Sequence, residues 1–543
     1  MPAGGYNVDQ ITRRKFLQIA GGITFLSLVP AGKGLFAASD DATPLPLFTV
    51  IPYIQPGPAS TLVDGQDTLV VSWQTENLPA SFQVLYGLGR KLDQNAAIVI
   101  GQRTSEALPK VIPAELAQEA ADNATVPQRL NYSATLSGLK LGQKYRYQVI
   151  GNGQLIAEGY ATARKPRGTA VRFAAFGDNS FGDLSDKAIA YYAYLSNPDF
   201  IMNTGDNVYE SGLDNEYTRY FFPVYNADVA DLREGAPLLR SVPFYTVIAN
   251  HDVPGSPLKA KKADPGAAAP VGLAIPPTCA DFGHFPDSLG YYTAMHLPAN
   301  GPKLLTSPTP IIGDDDDVIA EFKKCAGDRF PTQANYSFDY GDLHFLCLDS
   351  NDYVDPTDSA LQTWIESDLA GADALWKFVV YHHPGFNVGG EHYKEQHMRV
   401  LSPLFEKHGV DIVLHGHEHT YQRTQPLKFA PTDISKASDT SSKDRRIPGT
   451  FTIDRKFDGI SNTVPDGVIY LVTGAGGKEL YEPDYTDAPD RWLHADDNNI
   501  AYVSKFYSRE HSLTLFEVDG KTMKWTQKTE TGMIIDEVTV TKA

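Results

Sequence analysis

The chain has very few cysteines: three in 543 residues, at Cys279, Cys325 and Cys347. Three thiols exclude a disulfide framework and a zinc site built from four thiolates. Cys347 lies in an apolar run between Leu346 and Leu348 and is predicted to pack as a small hydrophobe. Cys279 and Cys325 share one loop-rich region, and in an oxidising compartment they could pair if the fold brings their Cα atoms close enough.

Positive charge is also in short supply. The 47 Lys and Arg residues stand against 66 Asp and Glu, which gives a formal net charge of −19 at pH 7. Without an excess of cations, the chain has little with which to neutralise nucleic-acid phosphates, and an anionic membrane is excluded as a general partner for the same reason. The 42% of hydrophobic residues is ordinary for a globular protein, so a disordered or collagen-like chain is excluded too.

Long apolar stretches are absent after the N-terminus. Near the start, Arg13 and Arg14 open a basic segment, and an uncharged, mostly apolar stretch follows to Gly32. This layout predicts a signal peptide, and the paired arginines followed by Phe-Leu resemble a twin-arginine export signal. We expect residues 1–38 to be this signal and the mature protein, without a transmembrane segment, to be periplasmic or secreted. An ordinary basic leader or an uncleaved anchor is the alternative.

Residues 45–165 are predicted to be β-structure. Leu69, Val71 and Trp73 fall at every second position, which is typical of half-buried strands. About seven short strands fit this span, and that number indicates a β-sandwich. The sequence Arg-Lys-Pro-Arg-Gly at 164–168 is a plausible linker.

From Val171 onward, short apolar runs alternate with segments of helical periodicity, which predicts an α/β domain. The candidate strands are 171–176, 199–204, 243–249, 343–348, 377–381, 410–414 and 467–473, and the candidate helices are 185–196, 358–370 and 394–408. Two segments are predicted to be irregular: an insertion or long loop at 253–335, with a run of four aspartates, and a second loop at 425–465.

Polar side chains follow five of these strands. They are Asp178; Asp206 and Tyr209; Asn250 and His251; His382; and His417 and His419. In open α/β sheets the crevice outside the carboxyl ends of the strands is where ligands bind. Nitrogen and oxygen donors without thiolate suit hard or borderline ions. Because there are more donors than one ion needs, two ions are expected, with Asp206 as the natural bridge between them.

This set of motifs resembles the purple acid phosphatases of the calcineurin-like metallophosphoesterase superfamily. Gly-Asp-x-x-Tyr at 205–209 carries the resemblance most strongly, and His-Tyr-Lys-Glu at 392–395 and Asn-Tyr-Ser-Phe at 335–338 also match the family. The phrases at 71–75 and 136–139 look like a fibronectin-III-type domain, as in the high-molecular-weight form of the family.

The resemblance implies a fold. It is an all-β, fibronectin-III-like sandwich at 45–165, followed by an α/β metallophosphoesterase domain at 170–543. That domain would be a four-layer α/β/β/α sandwich, completed by the C-terminal part from about 465 to 543. The insertion at 253–335 follows the third motif, and we hypothesise that it overhangs the site as a lid.

The resemblance also implies a ligand set. Fe(III) would be held by Asp178, Asp206, Tyr209 and His419, and a divalent ion (Zn, Mn or Fe) by Asp206, Asn250, His382 and His417. His251 and His392 would lie in the substrate pocket, where they would bind phosphate or protonate the leaving group. Two motifs depart from the usual family pattern, Gly-Asp-Asn-Ser at 177–180 and Ala-Asn-His-Asp at 249–252. Neither removes a ligand, but both leave the substrate preference open.

The expected function is that of an exported, acid phosphatase-like enzyme that hydrolyses small phosphate monoesters with a metal-activated water. The first alternative is a phosphodiesterase or nucleotide-active enzyme that uses the same metal site. A remote alternative is a non-enzymatic surface-binding protein that works through the fibronectin-like domain. No role as a nucleic-acid scaffold is expected.

Overall fold

The computed structural model describes residues 45–62, 65–78, 80–103, 129–253, 278–283, 285–312 and 316–543. The predicted signal peptide at 1–38 lies outside the described residues, as do residues 254–277 of the predicted insertion. Leu45–Ala543 forms one compact unit. Among the described helices, none combines the length and apolarity needed to cross a membrane.

The N-terminal part consists of two four-stranded antiparallel sheets, with strand orders β1-β2-β6-β5 and β4-β3-β7-β8. Trp73 of the first sheet stacks on Tyr132 and meets the edge of Phe82 in the second sheet, with ring centroids 5.2 and 5.5 Å apart. Buried and partly exposed side chains alternate along β7, as predicted for half-buried strands, but β2 is buried on both faces from Leu69 to Thr75. The strands number eight in the described residues. They are β1 Phe48–Gln55, β2 Gln66–Glu76, β3 Phe82–Leu88, β4 Gln94–Ala96, β5 Ile98–Arg103, β6 Arg129–Lys140, β7 Lys144–Gly151 and β8 Gln154–Thr162.

The second part is built on two larger sheets, with strand orders β11-β10-β9-β23-β24-β25 and β14-β15-β16-β17-β21-β18-β22. Two small pairs, β12-β13 and β19-β20, complete the set. The strands are β9 Val171–Phe176, β10 Phe200–Asn203, β11 Phe244–Thr246, β12 Ala280–Asp281, β13 Ile311–Ile312, β14 Tyr336–Tyr340, β15 Leu343–Cys347, β16 Trp376–Val380, β17 Ile412–His415, β18 Tyr421–Thr424, β19 Leu427–Pro431, β20 Gly449–Ile453, β21 Ile469–Thr473, β22 Val503–Tyr507, β23 Ser512–Asp519, β24 Thr522–Thr529 and β25 Ile534–Thr541.

The helices are short and lie between these strands. The α-helices of the described residues are α1 Leu184–Leu195, α2 Asp214–Glu216, α3 Phe222–Tyr225, α4 Gly290–Ala294, α5 Asp316–Ala326, α6 Ser359–Gly371 and α7 Ser402–Lys407, and Tyr217–Phe221 is π-helical. Single 3₁₀ turns occupy Leu238–Arg240, Asn250–Asp252, Gly327–Arg329, Thr332–Ala334, His397–Leu401, Pro483–Asp487, Pro489–Trp492 and Ala495–Asp497. The predicted helix at 394–408 is therefore a 3₁₀ turn followed by α7, which begins at Ser402 because Pro403 is tolerated only in a first turn.

Aromatic side chains join the two larger sheets. Phe173 of β9 stacks on Phe516 of β23 with ring centroids 4.5 Å apart, and it meets Phe345 and Phe378 of the other sheet edge-on. Strands β9, β10 and β11 run parallel to one another, as do β15, β16, β17 and β21. Parallel strands end at one edge of a sheet, so the carboxyl ends of each set lie together there.

Two segments predicted to be irregular contain regular structure. The described part of 253–335 includes α4 and α5, and Tyr291 of α4 is buried and donates a hydrogen bond to the Thr246 carbonyl at the end of β11. Asp316 and Asp317 lie in the first turn of α5 rather than in a solvated loop, where their charge suits the positive end of the helix dipole. The second segment, 425–465, contains the antiparallel pair β19-β20.

All three cysteines are buried thiols. Cys347 ends β15 inside the core, as its apolar neighbours predict. Cys325 lies on α5 against the N-terminal sheets, where its Sγ accepts a hydrogen bond from Asn131 Nδ2 at 3.4 Å.

Candidate metal centre and active site

Three candidate ligands lie where a strand ends and the chain turns sharply. Asp178 follows β9, Asp206 follows β10 and His417 follows β17, and all three have left-handed backbones, with φ of 56°, 49° and 67°. Non-glycine residues rarely adopt this conformation, and it concentrates at functional sites. The strand ends thus direct these three side chains into one buried pocket.

Neighbouring glycines make this close approach possible. A Cβ added to Gly416 would lie 2.4 Å from Asp178 Oδ2, and one added to Gly205 would lie 2.8 Å from His382 Nδ1. Any larger residue at these two positions would displace a carboxylate or an imidazole. The glycines beside the predicted ligands are therefore needed for space as well as for the turn.

One half of the site gathers around the Tyr209 hydroxyl. This hydroxyl donates to Asp206 Oδ2 at 2.9 Å and lies 3.3 Å from His419 Nε2, which in turn is 3.6 Å from Asp178 Oδ1. All four side chains are buried. The structure thus brings together the four residues that were expected around Fe(III).

The other half gathers around His382. Its Nε2 lies 3.3 Å from Asp206 Oδ2, and ligand atoms of Asp206, His382 and His417 lie within 4.8 Å of one another. Asn250 opens the 3₁₀ turn after β11, directly before His251, whose backbone N–H donates to Asp206 Oδ1 at 2.9 Å. Asp206 is therefore common to both halves, as expected of a bridging ligand.

Two polar atoms of this second half lack partners. Within the described residues, Asn250 Oδ1 and His382 Nε2 are buried and make no hydrogen bond of acceptable geometry. An unsatisfied buried polar atom costs about 1–3 kcal/mol. Metal ligation is the arrangement that would satisfy both atoms, so the residues present fit the metal ions that their chemistry implies.

Burial sets the protonation of four candidate ligands, but in Asp206 and His382 it is outweighed by their mutual attraction, which lowers the pKa of Asp206 and raises that of His382 to about 9. Burial raises the pKa of Asp178 well above its ordinary value and, with the nearby Asp206 and Asp178, does the same for Tyr209. It lowers the pKa of His417 well below 6.5 and that of His419 to about 3. Neutral imidazole is the form that binds metals, while buried carboxylates and a phenol need cations before they can ionise.

Two further histidines border the ligands. His251 is 31% exposed, its ring lies 4.3 Å from that of Tyr209, and its Nδ1 is 2.9 Å from the Glu210 carbonyl oxygen. The ring of His392 lies 3.8 Å from that of His417, and its Nδ1 is 3.1 Å from Glu395 Oε1. Both partly exposed side chains thus lie between the ligands and solvent.

Sequence reasoning missed a cation at this site. Lys478 lies beyond the end of β21, after the glycine-rich turn at 474–477. Its backbone N–H donates to the Asp178 carbonyl, and its Nζ lies 4.3 Å from the Tyr209 ring and 2.6 Å from Glu210 Oε1. Its position in the sequence could have indicated this role, because Lys478 follows β21, which runs parallel to β17 in the sheet that also carries His417.

Two histidines next to predicted ligands take other partners. His415 Nδ1 lies 3.3 Å from the Tyr381 carbonyl, and burial lowers the pKa of His415 to about 3. His383 Nδ1 lies 2.9 Å from Ser350 Oγ.

Comparison with known proteins agrees with this geometry. Residues 171–421 match the family model of the calcineurin-like phosphoesterases, a range that contains all seven candidate ligands. Purple acid phosphatase 23 of Arabidopsis thaliana is 29% identical over 163 residues, and purple acid phosphatase 18 of the same plant is 34% identical over 104 residues. These alignments cover 29% and 18% of this chain, and 28% and 23% of the relatives, so the match spans about a quarter of their length.

The fold has a counterpart among solved structures. The purple acid phosphatase PPD1 from yellow lupin (Lupinus luteus) seeds superposes with a TM-score of 0.60 at 16% identity, over 90% of this chain and 74% of that one. The fold, the site and the matched range agree. Residues 171–421 therefore form a calcineurin-like phosphoesterase domain, and the purple acid phosphatases are among the proteins to which the chain is similar.

Proposed function

We propose that this protein is an exported phosphomonoesterase of the acid phosphatase type, acting at a dinuclear centre of Fe(III) and a divalent ion. The observation that carries the proposal is that five strand ends supply six buried side chains and the partly buried Asn250, and that two of these seven have unsatisfied buried ligand atoms. The proposed Fe(III) ligands are Asp178, Asp206, Tyr209 and His419, and the proposed ligands of the divalent ion (Zn, Mn or Fe) are Asp206, Asn250, His382 and His417.

The bound ions would neutralise negative charge on the phosphate and acidify a water molecule for attack on phosphorus. His251 would protonate the leaving group. A carbonyl oxygen can only accept, so the contact with Glu210 keeps a hydrogen on Nδ1 and makes Nε2 the nitrogen that gains and loses a proton. As an imidazolium, His251 would give the departing alkoxide that proton.

His392 would bind the phosphate group of the substrate. Burial disfavours its charged form, but the hydrogen bond to Glu395 and the charge of Glu418 outweigh burial and raise its pKa above 6.5. A positive His392 at acidic pH would bind an anionic substrate beside the ligands. It would also compensate locally for the acidic surface that the net charge of −19 implies.

Export by the twin-arginine route suits this chemistry, since that route moves folded proteins and the metals could be acquired in the cytoplasm. The N-terminal sheets would then be a fibronectin-III-like domain that accompanies the catalytic domain. The lid hypothesis for the insertion at 253–335 stays a prediction: its described residues from 278 onward contribute to the hydrophobic core, and residues 254–277 lie outside the described residues.

Metal analysis combined with a visible spectrum of the purified protein tests the proposal. We expect iron and one divalent metal in equal amounts, and a tyrosinate charge-transfer band that Tyr209→Phe abolishes. A band that survives this substitution would show that Tyr209 is not the iron ligand, and two colourless divalent ions would contradict the iron assignment. Paired assays on monoesters and diesters then separate the proposed activity from the phosphodiesterase alternative.

A further inference from the structure

Glu395 is a buried carboxylate that lies between two histidines of the site. Its Oε1 is 3.1 Å from His392 Nδ1, and its Oε2 is 3.2 Å from His417 Nε2. His383 Nε2 lies farther from Oε2, at 3.9 Å, and the exposed Lys443 places its Nζ 3.6 Å from Oε1. Each carboxylate oxygen therefore has one short imidazole contact.

The other imidazole ligands are oriented differently. The Nδ1 atoms of His382 and His419 lie 2.9 and 2.7 Å from the backbone carbonyl oxygens of Thr204 and Glu479. The orientation of these two rings therefore depends on backbone carbonyl groups and not on a neighbouring side chain. Among the three candidate histidine ligands, His417 is thus the one whose second ring nitrogen contacts a side-chain carboxylate.

We propose that Glu395 is a positioning residue that orients His417 toward the divalent ion and His392 toward the substrate with one carboxylate. This proposal rests on the function proposed above. An ionised carboxylate only accepts hydrogen bonds, so both imidazoles must present an N–H to it. His417 then keeps its hydrogen on Nε2 and leaves the Nδ1 lone pair for a metal, while His392 keeps its hydrogen on Nδ1 and leaves Nε2 for the phosphate.

The surroundings of Glu395 favour a fixed side chain. Each of its carboxylate oxygens contacts an imidazole, and the ammonium group of Lys443 lies 3.6 Å from Oε1. The loop that carries His392 is held independently, because the His392 N–H donates to Glu418 Oε1 at 3.1 Å and the Gly390 N–H donates to Glu482 Oε1 at 2.6 Å. Changing Glu395 should therefore alter ring orientation more than the path of the loop.

Glu395→Gln tests the proposal. A carboxamide has one accepting oxygen and one donating nitrogen, so it can keep the contact with one histidine at most. We expect the affinity of the iron-loaded protein for Zn(II), measured by competition with a chelator, to fall about 10- to 100-fold. Iron content and the tyrosinate band should stay unchanged, because none of Asp178, Tyr209 and His419 has a contact with Glu395 among those described.

Two variants complete the experiment. Glu391→Gln is the matched control, since Glu391 is an exposed carboxylate of the same loop and loses the same charge, and its Zn(II) affinity should equal that of the wild type. Glu395→Asp keeps both accepting oxygens on a side chain one methylene shorter, so it should recover part of the affinity and of kcat. A purely structural role would instead lower Tm equally in both Glu395 variants and leave the Zn(II) affinity of the folded protein unchanged.

Other outcomes overturn the proposal directly. Unchanged Zn(II) affinity and unchanged kcat and KM in Glu395→Gln would show that Glu395 orients neither histidine. The loss of a third metal equivalent would show that Glu395 is a ligand of its own site with His383 and His417, whose ligand atoms lie within 4.8 Å of its own. Because Zn(II) affinity is read without turnover, a wild-type protein that binds zinc but hydrolyses no phosphoester would contradict the proposed function alone.

Discussion

Two clusters of histidine and aspartate, one beside β15 and one at the carboxyl ends of the parallel strands, differ in how their polar atoms are used. Near the amino end of β15, His344 lies between two carboxylates, with Nδ1 2.9 Å from Asp339 Oδ1 and Nε2 2.8 Å from Asp368 Oδ2. At the carboxyl ends of the strands, His382 Nε2 and Asn250 Oδ1 are buried without hydrogen bonds. We call the His344 cluster closed, because both ring nitrogens have partners, and the cluster around Asn250 and His382 open, because two of its polar atoms have none.

The difference shows what separates a structural ion pair from a candidate metal centre. Both regions combine histidine with aspartate, so residue type alone does not distinguish them; the carboxylates beside His344 are partly exposed, whereas Asp178 and Asp206 are buried. In the closed cluster each nitrogen has a carboxylate partner, and an ion would have to displace one. In the open cluster, two buried polar atoms have no hydrogen-bond partner, and a bound cation would satisfy them. The left-handed backbones of the ligands and the glycines beside them direct the side chains toward that position.

The largest expected effect comes from removing the shared carboxylate. Asp206→Asn replaces the residue common to both halves of the open cluster, so we expect the loss of at least one ion and a fall in kcat of about 1000-fold, since metal ions contribute several kcal/mol of charge stabilisation. Metal analysis and phosphomonoester kinetics measure both. Two ions retained with normal kcat would show that Asp206 is not the bridge.

Crowding at the open cluster gives the next prediction. In Gly416→Ala the new Cβ would meet Asp178 Oδ2 at 2.4 Å, so we expect weaker binding of both metals and a kcat lower by about 100-fold. Gly371→Ala is the control, because a Cβ there meets nothing within 4 Å. Equal metal content in both variants would mean that the pocket tolerates the methyl group.

The bordering histidine should act on chemistry rather than on metal binding. We expect His251→Ala to lower kcat about 100-fold for alkyl phosphates, whose leaving groups need a proton, and much less for p-nitrophenyl phosphate. Metal content should stay at the wild-type value. Equal losses on the two substrates would rule out the general-acid role.

We expect a substitution in the closed cluster to change the stability of the protein without changing its activity. Burial lowers the pKa of His344, but its hydrogen bonds to Asp339 and Asp368 outweigh burial and raise the pKa to about 9. Since the ordinary value is 6.5, this stabilisation is fully present below pH 6.5 and is lost as the pH rises through 9. We expect His344→Gln to lower the free energy of unfolding by about 3 kcal/mol at pH 6 and by much less at pH 9.5.

Denaturant unfolding at the two pH values checks this prediction, with metal content as the second readout. His344→Gln should keep both metals, in contrast to Asp206→Asn. A loss of metal in His344→Gln, or a destabilisation that does not depend on pH, would contradict the distinction between the closed and the open cluster.

Much of the site could be predicted because its signals are local. Asp178, Asp206 and His417 each follow an apolar strand with a glycine beside them, and parallel strands bring such ends to one edge. The predicted strand at 171–176 coincides with β9, and 377–381 differs from β16 by one residue at each end. The segment at 253–335 was less well predicted: α4 is too short to show a period, whereas the apolar spacing of Val318, Phe322 and Cys325 in α5 is a helical signal that was overlooked.

The sequence by itself determined which donors follow the strand ends and that the N-terminal part consists of β-strands, since periodicity and glycine placement are properties of neighbouring residues; the bridging role of Asp206 stays a proposal. Only the tertiary structure decided which partner each side chain has. It places Glu395 against His417, Lys478 over Tyr209, and His344 between two carboxylates. Such contacts depend on how loops that follow different strands pack against one another. Packing also decides which buried polar atoms have hydrogen-bond partners and which are left free to bind a metal ion.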